Sequence, residues 1–299
     1  MSNIPIHERR NWLGASEVAA LFGASPFTTR FELWHQKAGN IPPHDLDGDE
    51  RVNAGRFLEP AIAAWASDKW EWPLANVREY LSHPKVSRMG ASLDFEVTGD
   101  GEPVEIKNVD NLIFRDGEWE TDGDVIVDAP MHYLIQVQHQ LACRPDAGRG
   151  WLIPCVGGNR LYRMEVPRHD GLIRRIETEV AGFWESIEAN RPPEPDFDTD
   201  AAAISQLYGG NGNEVIDLSD DERMRALCLA YKAAGEQEKA ARKAKSAALA
   251  EIKTLMQDAR CAFGPEGFCV KASHIKEGTS TRQAHWRFSV NQRKQESAQ

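Results

Sequence analysis

A regular alternation of apolar and polar positions marks two short runs, residues 92–97 and 103–107. That period of two is typical of half-buried β-strands. Asp100-Gly101, between the runs, is a strong turn signal. If these two residues form the centre of the turn, Glu96 faces Glu105 across the hairpin. The pattern therefore predicts a β-hairpin with one apolar face and one charged face.

The charged face of this hairpin carries Asp94, Glu105 and Lys107, with Asp94 opposite Lys107 in the same register. Cross-strand and diagonal neighbours lie roughly 4.5–8 Å apart, so the two carboxylates are close enough to share a hard cation. Mg²⁺ best matches oxygen ligands, and Mn²⁺ is an alternative. Such a cation can activate a water against a phosphodiester, while a lysine stabilises the charge that develops. The face predicts a metal-dependent nuclease site; the alternative is an ordinary exposed ion pair.

Apolar periodicity predicts helices and further strands around the hairpin. A helical run over residues 55–65 has an apolar stripe of Phe57, Leu58, Ile62 and Trp65. Pro60 would kink this helix or mark its first turn. The other predicted elements are a mostly buried helix over residues 132–143, strands over 150–156 and 160–166, and a helix over 173–187. Together they predict an α/β domain whose mixed sheet is flanked by helices.

A proline-rich acidic stretch at residues 190–200 has the composition of a linker. We therefore predict a catalytic domain over residues 1–190, a linker over 191–218 and a C-terminal arm over 219–299. The two sides of this division also differ in net charge. Residues 1–219 carry 20 Lys+Arg and 36 Asp+Glu, a net charge of −16, whereas the remainder carries 15 and 10, a net +5.

The predicted arm begins with Ser219 and Glu222, which are spaced as in a capping box. The helix that follows would run to about residue 259 and has only a thin apolar stripe, so we expect a coiled coil or a packing arm. A small strand pair over residues 267–273 and 280–290 would end the chain. Three arginines there are candidate DNA contacts or simply solvated charges: Arg282, Arg287 and Arg293.

Four blocks of the chain resemble a known family. Asp94, followed after ten residues by Glu105-Ile106-Lys107, is similar to the PD-(D/E)xK nuclease signature, although Leu93 stands where the signature has proline. The blocks occur in the order of the YqaJ-type viral recombinase family, to which phage lambda exonuclease is related. They are residues 13–34, 55–60, 94–107 and 133–141. The resemblance implies a restriction-endonuclease-like core.

The resemblance also implies roles for individual residues. Asp94 and Glu105 would be the main metal ligands, with the backbone carbonyl of Ile106 as a further ligand and Lys107 as the catalytic lysine. Glu59 would be an additional acid that contributes to the metal site; the alternative is a solvated helical glutamate. These assignments make residues 59 and 94–107 the centre of the predicted site.

The glutamine helix, residues 132–143, would contribute to the same cleft. Gln136 and Gln138 are candidates for contacting the substrate phosphate or the lysine, because buried amides need partners. An exposed position on the helix remains plausible for Gln140.

A pocket for the 5′-phosphate of DNA is implied near the N-terminus. Arg9 or Arg10 would receive the phosphate together with Ser16 and Ser92. From the residues alone, Ser16 is better read as the N-cap of a short helix.

The function implied is that of a Mg²⁺-dependent exonuclease of phage-type recombination. It would degrade the 5′ strand of a double-stranded DNA end and leave a 3′ single strand for a single-strand annealing protein. A homo-oligomeric ring, a trimer, would keep the enzyme on its DNA. The alternatives are an endonuclease or single-strand nuclease with the same site, and a catalytically inactive DNA-binding scaffold.

Composition limits the other possibilities. The chain has 299 residues, of which 41% are hydrophobic, and no apolar run approaches the length of a membrane span. The N-terminus lacks the apolar segment of a signal peptide, so we expect a cytoplasmic protein, in the host cell if phage-encoded. The five cysteines include no C-x-x-C pair, which argues against a disulfide framework, a zinc ribbon or an iron–sulfur cluster.

Overall fold

The computed structural model describes residues 10–44, 48–77, 79–209 and 214–272. They belong to two units, which divide between Tyr208 and Gly209. Within the described ranges, no helix is both long enough and apolar enough to cross a membrane.

The first unit contains a central sheet, two small strand pairs and the helices that cover them. Its helices are a 3-10 helix (Val18–Phe22), α1 (Arg30–Ala38), α2 (Glu50–Trp70), α3 (Asn111–Asp116), α4 (Met131–Cys143), α5 (Asp170–Glu188) and α6 (Ala201–Leu207). Its strands are β1 (Leu74–Asn76), β2 (Tyr80–Ser82), β3 (Gly90–Ser92), β4 (Phe95–Val97), β5 (Pro103–Val109), β6 (Glu120–Asp122), β7 (Val125–Asp128), β8 (Arg149–Val156), β9 (Arg160–Leu161) and β10 (Met164–Pro167).

The central sheet has the strand order β1-β4-β5-β8-β10, and the short β9 pairs with β8. Strands β5 and β8 run parallel, and the other pairs are antiparallel. This is the mixed sheet flanked by helices that the sequence predicts. β5 lies in the middle of the sheet, so its residues have neighbours on both edges and both faces.

The predicted hairpin is formed by β4 and β5, but its register differs from the predicted one. Phe95 lies opposite Val104, and the backbone N–H of Val97 donates to the carbonyl of Glu102 at 3.0 Å. The turn therefore contains four residues instead of two, and the pairing is shifted by two positions. Because side chains alternate with a period of two, an even shift leaves each residue on its predicted face.

The apolar face of the hairpin packs on α2. Phe95, Val97, Val104 and Ile106 form one cluster with buried residues of that helix: Ile62, Ala63 and Ala66. The predicted stripe on α2 is wrong at Phe57, Leu58 and Trp65, which are exposed, Phe57 by 84%. Phe57 lies about 140° around the helix from Ile62, so the two do not share a face. Pro60 lies inside α2, which begins ten residues earlier, and not in its first turn.

Residues 191–208, predicted as part of a linker, pack on the first unit. Asp200 is buried, accepts a hydrogen bond from the hydroxyl of Thr29, and accepts another from the N–H of Asp196 at 2.7 Å. Ala203 of α6 packs with Phe31 and Ile41. The long-range contacts of this segment make it part of the compact body despite its linker-like composition.

The second unit consists of α7 (Glu222–Met256) and the strand pair β11 (Cys261–Phe263) and β12 (Cys269–Lys271). Asp221, and not Ser219, caps α7: its carboxylate accepts from the N–H of Met224 at 2.9 Å. β12 falls within the predicted strand 267–273 but pairs with β11. The other predicted strand, 280–290, lies outside the described residues, as do Arg282, Arg287 and Arg293.

Candidate functional site

Glu105 is the centre of a hydrogen-bonded cluster on the charged face of β5. Its side chain lies under α4, and the residue is only 3% exposed. Oε1 accepts from Lys107 Nζ at 2.5 Å and from Gln136 Nε2 at 2.6 Å, and Oε2 accepts from Gln140 Nε2 at 2.5 Å. A buried carboxylate needs such partners to offset its lost hydration. The charged face is therefore buried at Glu105, and the carboxylate of Glu105 has a fixed orientation.

Asp94 lies between β3 and β4, beside Glu105. Its Oδ2 accepts from the N–H of Ile106 at 3.0 Å, which holds the carboxylate next to β5. Continuing the observed register places Asp94 opposite Glu105 and not opposite Lys107. Burial, and then the negative charge of Glu105, raise the pKa of Asp94 well above its ordinary value. The two carboxylates thus repel each other in a poorly hydrated site.

Lys107 extends from β5 next to both acids. Burial disfavours its ammonium, but the charges of Glu105 and Asp94 outweigh burial and raise the pKa of Lys107. Its Nζ also lies 5.4 Å from the ring centroid of Tyr133 on α4. The side chain is therefore a permanent cation at neutral pH, suited to donating hydrogen bonds and not to accepting a proton.

Glu59 reaches the cluster from α2. Burial, followed by the charge of Glu105, raises the pKa of Glu59, while Lys107 lowers it. The side chain is half-buried, so the alternative of a solvated helical glutamate does not describe it. The structure brings together Glu59, Asp94, Glu105 and Lys107.

The donor set fits a hard divalent cation in its chemistry. Within the described ranges, no group of three or more His, Cys, Asp or Glu residues is already arranged around a single metal position. Mg²⁺, however, commonly uses one or two carboxylates and completes its shell with water and substrate phosphate. Burial, and then repulsion from Glu105, raise the pKa values of Asp94 and Glu59, and a cation would relieve that repulsion. Ile106 uses its N–H for Asp94, and its carbonyl as a ligand stays a prediction.

Gln138 lies away from the cluster, contrary to its predicted place in the cleft. Its Nε2 donates to the carbonyl of Pro167 at 2.7 Å, and its Oε1 accepts from the N–H of His169 at 3.0 Å. Gln138 therefore fixes α4 to the segment that enters α5. Gln140, for which an exposed position was plausible, is fully buried on Glu105.

The spacing of these glutamines along the helix already indicates that they do not all lie on one face. Gln136 and Gln140 are four residues apart and share a face of the helix. Gln138 lies about 200° around the helix from Gln136. Tyr133, three residues before Gln136, is a further residue next to Lys107 that the sequence reasoning missed.

The residues predicted to bind a 5′-phosphate are less completely described. Arg9 lies outside the described residues, and Arg10 and Ser16 are exposed. Ser16 is not an N-cap, because the 3-10 helix begins at Val18 with Glu17 at the cap position. Ser92 ends β3, two residues before Asp94. Of this set, Ser92 is placed nearest in the chain to the acidic cluster, and the pocket itself stays a prediction.

The chain is similar to several known proteins. Residues 6–149 match the YqaJ-like viral recombinase domain. The uncharacterized protein YqaJ of Bacillus subtilis (strain 168) is 26% identical over 262 residues, which cover 86% of this chain and 78% of that protein.

Solved exonuclease structures are also similar. The alkaline exonuclease LHK-Exo from Laribacter hongkongensis is 22% identical, covers 67% of this chain and 97% of its own, and has a TM-score of 0.48; its complex with dAMP has a TM-score of 0.49. A phage-related exonuclease from Haemophilus somnus 129PT is 10% identical over 60% of this chain and 96% of its own, with a TM-score of 0.42. Residues 6–149, which are similar to the YqaJ-like viral recombinase domain, include the four clustered residues and the glutamine helix.

Proposed function

We propose that this chain is a divalent-metal-dependent nuclease that hydrolyses DNA phosphodiesters. The observation that carries the proposal is the cluster of Asp94, Glu105 and Lys107, in which two acids and a permanent cation lie together on the charged face of the hairpin. The recombinase family supports a nuclease role. An ordinary ion pair would not need two mutually repelling carboxylates under a helix.

Each residue of the cluster has a role in this proposal. Asp94, Glu105, Glu59 and the carbonyl of Ile106 would hold Mg²⁺, with Mn²⁺ as the alternative. Once bound, such a cation supplies a Lewis acid for the phosphodiester and lowers the pKa of a water. Lys107 donates hydrogen bonds to the developing phosphate charge or to the attacking water. Gln136 and Gln140 keep the Glu105 carboxylate in one orientation.

The specific activity we propose is exonucleolytic. The chain would degrade the 5′ strand of a duplex end and leave a 3′ single strand. A single-strand annealing protein would then bind that strand. Support comes from the resemblance of the four sequence blocks. The 5′-phosphate would be received by Arg9 or Arg10 with Ser16 and Ser92.

A trimeric ring is part of the same proposal. Residues 1–219 carry a net charge of −16, which would repel DNA unless basic surface were concentrated on an inner wall. Light scattering at micromolar concentration tests the ring. A monomer that digests long duplexes without dissociating would contradict it.

A cleavage assay with linear and closed circular duplexes tests the activity. We expect Mg²⁺-dependent release of a 5′ label from linear DNA, faster from phosphorylated than from hydroxyl ends, and no cutting of the circle. Release of the 3′ label first would contradict the polarity. Cutting of the circle would indicate an endonuclease, preference for unpaired strands a single-strand nuclease, and no metal-dependent cleavage a scaffold.

The glutamine helix offers a matched pair of substitutions. Gln140→Leu removes a donor to Glu105, and we expect kcat to fall by about 10- to 100-fold, as for other residues that orient a metal ligand. Gln138→Leu removes two structural hydrogen bonds, and we expect a lower Tm with kcat unchanged in the folded protein. Steady-state kinetics and thermal melts of both variants check this. Equal loss of kcat in the two would contradict the assignment of Gln140 as a positioning residue.

A further inference from the structure

Phe27 is an exposed aromatic residue held in a fixed turn. Its side chain is 74% exposed. The hydroxyl of Ser25 accepts from the N–H groups of Phe27 at 3.2 Å and Thr28 at 3.3 Å, and Pro26 restricts the backbone between them. A single exposed phenylalanine is ordinary in itself. Phe27 differs because a series of ring contacts leads from it to Lys107.

Three successive contacts lead from Phe27 to Lys107. The ring of Phe27 lies 6.0 Å from that of His132, at 90°. His132 in turn lies 3.9 Å from Tyr133, whose ring centroid is 5.4 Å from Lys107 Nζ. We call these three rings the aromatic path. His132 and Tyr133 are the second and third residues of α4. The glutamine helix that fixes Glu105 therefore also holds two of the three rings.

The length of the aromatic path matches a few nucleotides of a DNA strand, and its rings can stack on bases. The three contacts limit the separation of Phe27 from Lys107 to about 15 Å, and stacked nucleotides advance about 3.4 Å each along a strand. Burial, and then the charge of Lys107, lower the pKa of His132. Its ring is therefore neutral, and it contacts the ring of Phe27 as an uncharged aromatic group. Every base has a π-face, so an aromatic platform accepts bases without regard to sequence.

We propose that Phe27 is a stacking platform for a nucleobase of the strand being cut, within about five nucleotides of the phosphodiester at Lys107. His132 packs edge-to-face against the Phe27 ring, most of which stays exposed. This inference rests on the proposed function, because it takes DNA as the substrate. Stacking fixes the position of the strand, so Phe27 is a positioning residue.

The test is DNA binding without cleavage. Fluorescence anisotropy with a labelled duplex carrying a short single-stranded end, in Ca²⁺ and with intact DNA verified on a gel, gives the Kd. We expect Phe27→Ala to raise Kd by about 10-fold and Phe27→Trp to retain or improve affinity. Phe197→Ala is the control, since Phe197 is an exposed phenylalanine of the same unit, 65% exposed and outside the aromatic path.

An abasic scan gives the decisive measurement. Each nucleotide near the end is replaced in turn by an abasic site. At one position the wild type should lose affinity, and Phe27→Ala should show no further loss there, because the two changes remove the same contact. Wild-type affinity of Phe27→Ala, or the same abasic profile in both proteins, would overturn the proposal.

The binding assay and the cleavage assay test the stacking site and the nuclease activity separately. Position-specific coupling to Phe27 without any metal-dependent cleavage would refute the nuclease and retain the stacking site. Cleavage without coupling would refute only the stacking site. Loss of binding to a second protein, with DNA binding unchanged in Phe27→Ala, would assign the exposed ring to a protein partner instead.

Discussion

Lys107→Met should reduce DNA cleavage by at least about 100-fold while leaving the protein folded. The substitution removes the permanent cation that stabilises charge at the phosphate but keeps most of the aliphatic stem. Glu105 retains the hydrogen bonds from Gln136 and Gln140, so its carboxylate stays satisfied in part. Single-turnover cleavage with Mg²⁺, together with a thermal melt, measures both effects. Lys85→Met, at an exposed lysine, is the matched control.

The burial of Glu105 makes its substitution affect stability as well as cleavage. Glu105→Ala would empty a buried position and leave the amide donors of Gln136 and Gln140 unpaired, so a loss of stability should accompany the loss of cleavage. Glu105→Gln keeps the volume and is the more informative variant. Wild-type cleavage by Lys107→Met or Glu105→Gln would contradict the site assignment.

Asp94→Asn should lose cleavage by about 100-fold or more and yet be more stable than the wild type without metal. An amide is not a charged ligand, which accounts for the lost activity. The gain in stability follows because burial and Glu105 raise the pKa of Asp94. Asparagine keeps an oxygen that can accept from the N–H of Ile106. Thermal melts in EDTA and in Mg²⁺ measure the stability, with Asp100→Asn in the exposed turn as control.

The gain should depend on pH in a defined direction. The unfolded chain ionises Asp94 near its ordinary pKa of about 3.9, whereas the folded chain retains the proton to a higher pH. The wild type therefore loses stability as pH rises through that window, and the asparagine variant does not. We expect the advantage in Tm to be larger at pH 8 than at pH 5 and to shrink when Mg²⁺ is added, because only the wild type binds the cation tightly. An advantage that grew towards low pH would contradict the raised pKa.

Alternation in the sequence determined the charged and apolar faces of the β4–β5 hairpin. Side-chain alternation is a local property of a strand, so Asp94, Glu105 and Lys107 could be assigned to one face before their pairing was known. The resemblance of four ordered blocks to a recombinase family was likewise readable from the chain, and the family match confirms it. The positions of α4 and α5 followed from their apolar periodicity.

Only the tertiary structure decided which residues meet. The turn signal at Asp100-Gly101 implied a two-residue loop, but pairing along the whole hairpin placed Asp94 opposite Glu105. Gln140 became a partner of Glu105 because α4 packs against β5, and Glu59 joined the acids because α2 packs against the same strand. Contacts between elements distant in the chain depend on packing, which no local pattern encodes. For the same reason residues 191–208, with the composition of a linker, belong to the compact body: Asp200 and Ala203 find their partners on α1 and next to it.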